Sequence, residues 1–296
     1  MSLIESALER LRRAGEAGAD PRPQVPRTVV AAVPAPRTSV DPSPTPEHPH
    51  KQIKVDPAAL RRAGYLPEEG LERRFADHYR QIKRSLVERA LAGSAEMRLI
   101  LVSSALPGDG KTFTSINLAL SMARERDVSV LLVDADAPKG HVSEVFGIRG
   151  DPGLLDALRD ESLEVESLIE HTDIRGLEIL PAGRFVENAT ELLASARMAQ
   201  IAARIGARNP RRLVVFDSAP LLVSSEARVL LRIPGQVILV VRSGVTPRQA
   251  ILDAVGHVDK TKLQGLILNQ TPFREGGGYY GYSAYGVGAD EASGPG

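Results

Sequence analysis

Apolar residues follow two rhythms along the chain. Short, nearly unbroken Val/Ile/Leu runs occupy 98–103, 128–133, 177–180, 212–216, 236–241 and 263–268. Each is too short for an ordinary helix and lacks the polar alternate positions of a half-exposed strand, so each reads as a strand buried on both faces. Between the runs, apolar positions recur every three or four residues, which predicts helices over 112–126, 153–159, 187–207, 224–232 and 247–258. Strands and helices that alternate in this way predict an α/β protein with a parallel sheet covered by helices on both faces.

Upstream, 58–63 reads as a short helix ended by Gly64, and 71–91 as a longer one with Phe75, Ile82, Leu86 and Leu91 set among charges. On the longer helix Asp77, Arg80 and Lys83 follow at spacings of three, which suits either a solvated face or a subunit-contact stripe. Residues 1–14 read as a short helix, with Leu3, Ile4, Ala7, Leu8 and Leu11 at helical spacing. A frayed terminus and a docking helix for a partner both fit it. Residues 15–56 form a Pro-rich linker, 57–273 the folded domain, and 274–296 a flexible tail in which glycines separate Tyr279, Tyr280, Tyr282 and Tyr285.

Bulk composition narrows the function. A chain of 296 residues with 43% apolar content has material for one large or two ordinary domains. Lys+Arg and Asp+Glu balance at 37 each, and aromatic content is 4%, so no basic patch with interleaved aromatics offers itself to nucleic acid. The absence of Cys excludes disulfides and thiolate metal sites and fits a reducing compartment. No apolar run approaches the roughly 20 residues that span a bilayer, and the first residues lack a signal-peptide core. The expectation is a cytoplasmic protein that reaches a membrane only through a partner.

Candidate chemistry sits at the strand ends. The first strand runs through Ala105 and Leu106 into Pro107-Gly108-Asp109-Gly110-Lys111-Thr112-Phe113, and a helix follows. Strand, glycine-bearing turn, Lys-Thr and helix is the build of a phosphate-binding loop, so these seven residues are candidate nucleotide ligands and the expected fold is P-loop NTPase-like. Lys111 is placed to reach the β- and γ-phosphates. The usual first glycine is replaced by Ala105. The second strand ends in Asp134-Ala135-Asp136, and a later one, 212–216, runs into Asp217. The expected cofactors are ATP and Mg²⁺, with Thr112, Asp136 and Asp217 as candidate metal ligands. Lys111, Asp134 and Asp136 are the candidate catalytic residues, one of the two aspartates serving as base.

The combination resembles the bacterial tyrosine kinases of the polysaccharide co-polymerase type, P-loop relatives of the MinD/ParA ATPases. The resemblance covers roughly 56–285. In that family the loop ends Pro-Gly-acidic-Gly-Lys-Ser/Thr, as at 107–112, and the first glycine is often missing. Asp134 and Asp136 match its second acidic motif, and Asp217 its Walker B aspartate. Tyr279, Tyr280, Tyr282 and Tyr285 match its autophosphorylated tyrosine cluster. Asp77, Arg80 and Lys83 are similar to its oligomer-forming Glu-x-x-Arg-x-x-Arg motif. Residues 2–11, the Lys83-Arg84 pair and 217–245 look most like the exosortase-associated branch. One departure is Ala137-Pro138-Lys139-Gly140, where the family has Leu-Arg-(Arg/Lys)-Pro.

The resemblance implies an ATP-dependent protein-tyrosine autokinase that phosphorylates its own tail in trans within a ring-like homo-oligomer. It further implies three things: an activating cytoplasmic segment of a separate membrane chain-length determinant protein, an opposing phosphotyrosine phosphatase, and control of exopolysaccharide or capsule biosynthesis or export. The protein would then lie in the cytoplasm, peripheral to the inner membrane through that partner. The alternative is a MinD/ParA-like ATPase, a nucleotide-switched assembly factor without kinase activity. Such proteins carry a second Lys early in the loop, where this chain has Leu106, and lack a Gly/Tyr tail.

Overall fold

The structure is a computed structural model that describes residues 52–271. Its strands are β1 (Leu99–Ser104), β2 (Ser129–Ala135), β3 (Glu170–His171), β4 (Leu177–Leu180), β5 (Arg212–Ser218), β6 (Gln236–Arg242) and β7 (Leu263–Asn269). They form one sheet in the order β3-β4-β2-β5-β1-β6-β7. Neighbours pair in parallel, except that the two-residue β3 runs antiparallel to β4.

Alternate residues of each central strand enter opposite cores. On one face Leu99, Leu101, Leu131, Val133, Val214, Phe216, Val237 and Leu239 are buried. They meet α5 (Leu154–Arg159), α6 (Ala189–Ala194), α7 (Ala196–Ala207), α8 (Ser225–Leu230) and α9 (Arg248–His257). On the other face Ile100, Val102, Val130, Leu132, Leu213, Val215, Ile238 and Val240 are buried. There the cover is α1 (Pro57–Arg62), α2 (Glu72–Ala92), α3 (Lys111–Ala123) and α4 (His141–Val145). Burial on both faces is why these strands carry no polar alternation.

Four features depart from the sequence pattern. The predicted helix 187–207 is broken at Ser195, whose extended backbone ends α6 and whose Oγ accepts from Met198 N at 3.2 Å to cap α7. A serine can do this because its hydroxyl replaces a missing helix hydrogen bond. The linker boundary at 56 is corrected: Ile53 N donates to His171 O at 2.8 Å and Val55 N to Asp173 Oδ1 at 3.0 Å, with both side chains buried. Their alternation with Gln52, Lys54 and Asp56 is a short strand rhythm masked by the prolines before it. The strand at 263–268 is present, yet β7 lies at the edge of the sheet, and Leu266 and Leu268 are half exposed. The sequence pattern also gave no warning of α4 or β3. Among the described residues no helix is long and apolar enough to cross a membrane.

Candidate functional site

The site lies at the carboxyl ends of β1, β2 and β5, where ligands of open parallel sheets bind. Residues 105–110 turn from β1 into α3, and both Gly108 (φ 85°) and Gly110 (φ 92°) hold left-handed backbone. That conformation favours glycine. At Gly110 a side chain would also collide with the Asn269 amide. The turn leaves the first N–H groups of a 13-residue helix without intrahelical partners, and N–H groups so placed are suited to form an anion cradle.

Behind the cradle lie Lys111 and three buried carboxylates, Asp134, Asp136 and Asp217. Lys111 Nζ lies 2.9 Å from Asp136 Oδ2, and both side chains are buried. Asp217 accepts from Thr112 Oγ1 and from Ser115 Oγ, each at 2.8 Å, one bond to each carboxylate oxygen. Asp134 stands beside Asp217 in the β2–β5 register. Its Oδ2 accepts from both Ser143 N and Ser143 Oγ at 2.7 Å. Asp134 Oδ1 is buried without a well-formed hydrogen bond; the Asp136 N–H is another donor near this carboxylate.

Burial sets the electrostatics. It pushes Asp217 up to about 7, against the opposing pull of Lys111 and the two hydroxyls, and the charge of Asp134 adds to the rise. Burial likewise pushes Asp134 up to about 6, against the Ser143 hydrogen bonds. His141, at the start of α4, is lowered by burial and then by Lys111. Carboxylates that resist ionisation in a dry site are ones that a cation would stabilise. The oxygen-only donor set of Thr112 and the aspartates fits Mg²⁺, which keeps several of its waters. Among the described residues no three His, Cys, Asp or Glu side chains are grouped to hold an ion by themselves, which suits a shell completed by phosphate and water oxygens.

The structure therefore gathers Lys111, Thr112, Asp134, Asp136 and Asp217. Pro107 and Gly108 are exposed at the tip of the loop. Asp109 is buried with its carboxylate tied back to the protein, accepting from Thr246 Oγ1 at 2.6 Å. The Phe113 ring meets Phe75 edge-on at 6.0 Å. Asp77 and Arg80 pair with each other at 2.8 Å on the exposed face of α2. Lys83 turns inward, its Nζ 2.6 Å from both Ser121 O and Glu125 Oε1. Tyr279, Tyr280, Tyr282 and Tyr285 lie outside the described residues, as do 1–14 and 274–296.

Sequence reasoning missed Ser115, Ser143, Thr246 and Asn269. Ser115 was legible one helical turn beyond Lys111. Asn269 was legible as a polar residue closing an apolar strand. Ser143 and Thr246 carry no local signal.

A glycine-bearing loop between a central parallel strand and a helix, backed by strand-terminal aspartates, defines a P-loop nucleotide-binding protein. Residues 97–264 match the family described as an AAA domain. The chain is 30% identical to the tyrosine-protein kinase YwqD of Bacillus subtilis over 210 residues, 70% of this chain and 86% of that protein. It is 32% identical to the tyrosine-protein kinase wzc of Salmonella typhimurium over 197 residues, 64% of this chain but only 26% of that longer protein. Among solved structures it is similar to the kinase domain of the Escherichia coli tyrosine kinase ETK, with a TM-score of 0.59 and 29% identity over 70% of this chain and 80% of that one. The chain belongs to the bacterial tyrosine-protein kinase family of P-loop proteins.

Proposed function

We propose that the chain is an ATP-dependent protein-tyrosine autokinase that transfers the γ-phosphoryl group to Tyr279, Tyr280, Tyr282 and Tyr285 of a neighbouring copy. The observation that carries this reading is the convergence of Lys111, Thr112, Asp136 and Asp217 behind the cradle, in a chain that carries a tyrosine cluster at 279–285.

Residues 107–113 hold the phosphates through backbone N–H groups. Lys111 exchanges its carboxylate partner for the β- and γ-phosphates and offsets charge on the transferred group. Bound Mg²⁺ neutralises phosphate charge, and Thr112 and Asp217 would hold it, with Asp136 close by. Asp136 is engaged by Lys111, whereas Asp134 retains a carboxylate oxygen without a well-formed hydrogen bond. Asp134 is therefore the favoured base. The tyrosine oxygen bonds to the γ-phosphorus while the bond to the β–γ bridging oxygen breaks. The phenolic proton passes to Asp134, and ADP leaves with the bond's electron pair.

The proposed assembly is a ring-like homo-oligomer with Asp77, Arg80 and Lys83 near its contacts. A cytoplasmic segment of a separate membrane chain-length determinant protein activates it at the inner membrane, and a phosphotyrosine phosphatase reverses the reaction. Each phosphotyrosine adds about −1.5 to −2 charges at pH 7, so several on one tail repel one another and loosen the ring. That cycle would control exopolysaccharide or capsule biosynthesis or export.

The test is incubation with ATP and Mg²⁺, with and without the partner's segment, followed by phosphosite mapping. The expected result is phosphate on the four tail tyrosines that disappears in Lys111→Met. ATP hydrolysis without protein phosphorylation under both conditions would replace this reading with a nucleotide-switched ATPase.

A further inference from the structure

An acidic residue in the middle of a phosphate-binding loop is an electrostatic puzzle, because its charge repels the ligand. The structure resolves it by turning the Asp109 side chain away from the cradle. Asp109 Oδ1 accepts from Thr246 Oγ1 at 2.6 Å, and Oδ2 accepts from Leu106 N at 3.2 Å across the loop. Asp109 is 3% exposed. Thr246 is itself oriented, because its Oγ1 accepts from Arg242 N at 2.9 Å in the turn that ends β6. From the next strand, Asn269 Nδ2 donates to Asp109 O at 3.0 Å, in the space that Gly110 leaves open. One loop residue is thus held by its side chain from the turn after β6 and by its main chain from β7.

We propose that Thr246 and Asn269 are positioning residues that latch the phosphate loop open through Asp109, fixing its N–H groups toward the anion before nucleotide arrives. The inference rests on the reading of 107–113 as a nucleotide-binding loop. Neither residue touches the reacting atoms through this contact. Pre-ordering the donors removes an entropic penalty on binding and keeps the aspartate's charge neutralised by donors away from the phosphates.

The test uses the full chain and four variants: Thr246→Val, which keeps shape but loses the hydroxyl, Thr246→Ser, Asp109→Ala, and the double variant Asp109→Ala/Thr246→Val. The first readout needs no nucleotide: hydrogen–deuterium exchange of the peptide spanning 105–111. Thr246→Val is expected to raise exchange there at least fivefold and leave β2 and β5 unchanged, while Thr246→Ser stays within twofold of the parent. The second is affinity for fluorescent Mg-ADP, expected to weaken roughly tenfold in Thr246→Val and to recover in Thr246→Ser. In the double variant the loss should equal that of Asp109→Ala alone, because the two residues act through one bond. Unchanged exchange in Thr246→Val, equal losses in the Val and Ser variants, or additive losses would each overturn the latch. A parent protein that binds no Mg-ADP would instead overturn the nucleotide-binding reading, and the exchange data would still decide the latch.

Discussion

Lys111 Nζ and Asp136 Oδ2 stand 2.9 Å apart in a buried pair, so the cation proposed to bind phosphate is held by an internal anion. The pair holds Lys111 aimed across the base of the cradle in the free protein. A phosphate group must compete with Asp136 for it.

Removing one partner of this pair leaves a buried charge without compensation. Lys111→Met is expected to destabilise the nucleotide-free protein by about 3 kcal/mol. Adding Asp136→Asn should restore much of that loss without restoring phosphorylation. Urea unfolding of the two variants and the parent measures the first effect, and tail phosphorylation the second. A double variant no more stable than Lys111→Met would show that the pair is not the cause.

Asp217 makes stability depend on pH in an unusual direction. Its carboxyl is pushed up from 3.8 to about 7 by burial, so the folded state holds the proton more tightly than the unfolded chain. The contribution is most favourable near pH 4, falls as pH rises, and levels off above about pH 7. Asp217→Asn should flatten the fall in Tm between pH 5 and pH 8 relative to the parent. Mg²⁺ must displace the same proton, so Mg-nucleotide affinity should weaken below about pH 7. Parallel Tm profiles for the two proteins would refute the assignment.

Asp77 and Arg80 should separate from Lys83 in a mutational test. The first two form an exposed pair, worth little to the fold, so Asp77→Ala and Arg80→Ala should shift stability by less than about 1 kcal/mol. Their expected effect is on self-association, read by sedimentation at high protein concentration. Lys83→Met removes a buried ammonium held by Ser121 O and Glu125, and it should lower stability measurably. If Lys83→Met disrupts assembly while the melting curve stays unchanged, this division of roles is wrong.

Ile53 and Val55 set a sharp limit for truncation. A chain that begins at Gln52 should melt as the full chain does, whereas one that begins at Ala58 should not. Ile53→Ala in the full chain is expected to cost about 2–4 kcal/mol as a core truncation. Thermal melts of the two truncations and the variant check this, and equal Tm values would place the fold's true start beyond residue 57.

The central sheet was legible because β1, β2, β5 and β6 are unbroken apolar runs, and only a twice-covered strand needs them. The aspartates were legible because charge immediately after such a run has few structural uses. Lys83 shows where spacing misled. At 100° per residue, Asp77, Arg80 and Lys83 fan across about 120° of the helix, and Lys83 falls on the stripe of Tyr79, Leu86 and Ala90 that faces the core. The Ser195 break was hidden because apolar periodicity continues through it, with no Pro or Gly to mark the stop. Ser143 reaches the site from α4 and Thr246 from the turn after β6, and only the fold brings them there.

The chain leaves the sheet from the end of β7, where Asn269 touches the phosphate loop. Two strand spacings, roughly 10 Å, separate β7 from β1, while the eight residue steps from Thr271 to Tyr279 could span at most about 29 Å if fully extended. If the tail tyrosines are the acceptors, a tether of that length would put a copy's own tail in competition with any neighbour's. Under the proposed transfer between copies the labelling rate should rise with protein concentration, and a rate independent of dilution would instead reveal transfer within one chain. A ring that enforces exchange between subunits must work by steering tails apart as much as by bringing them in.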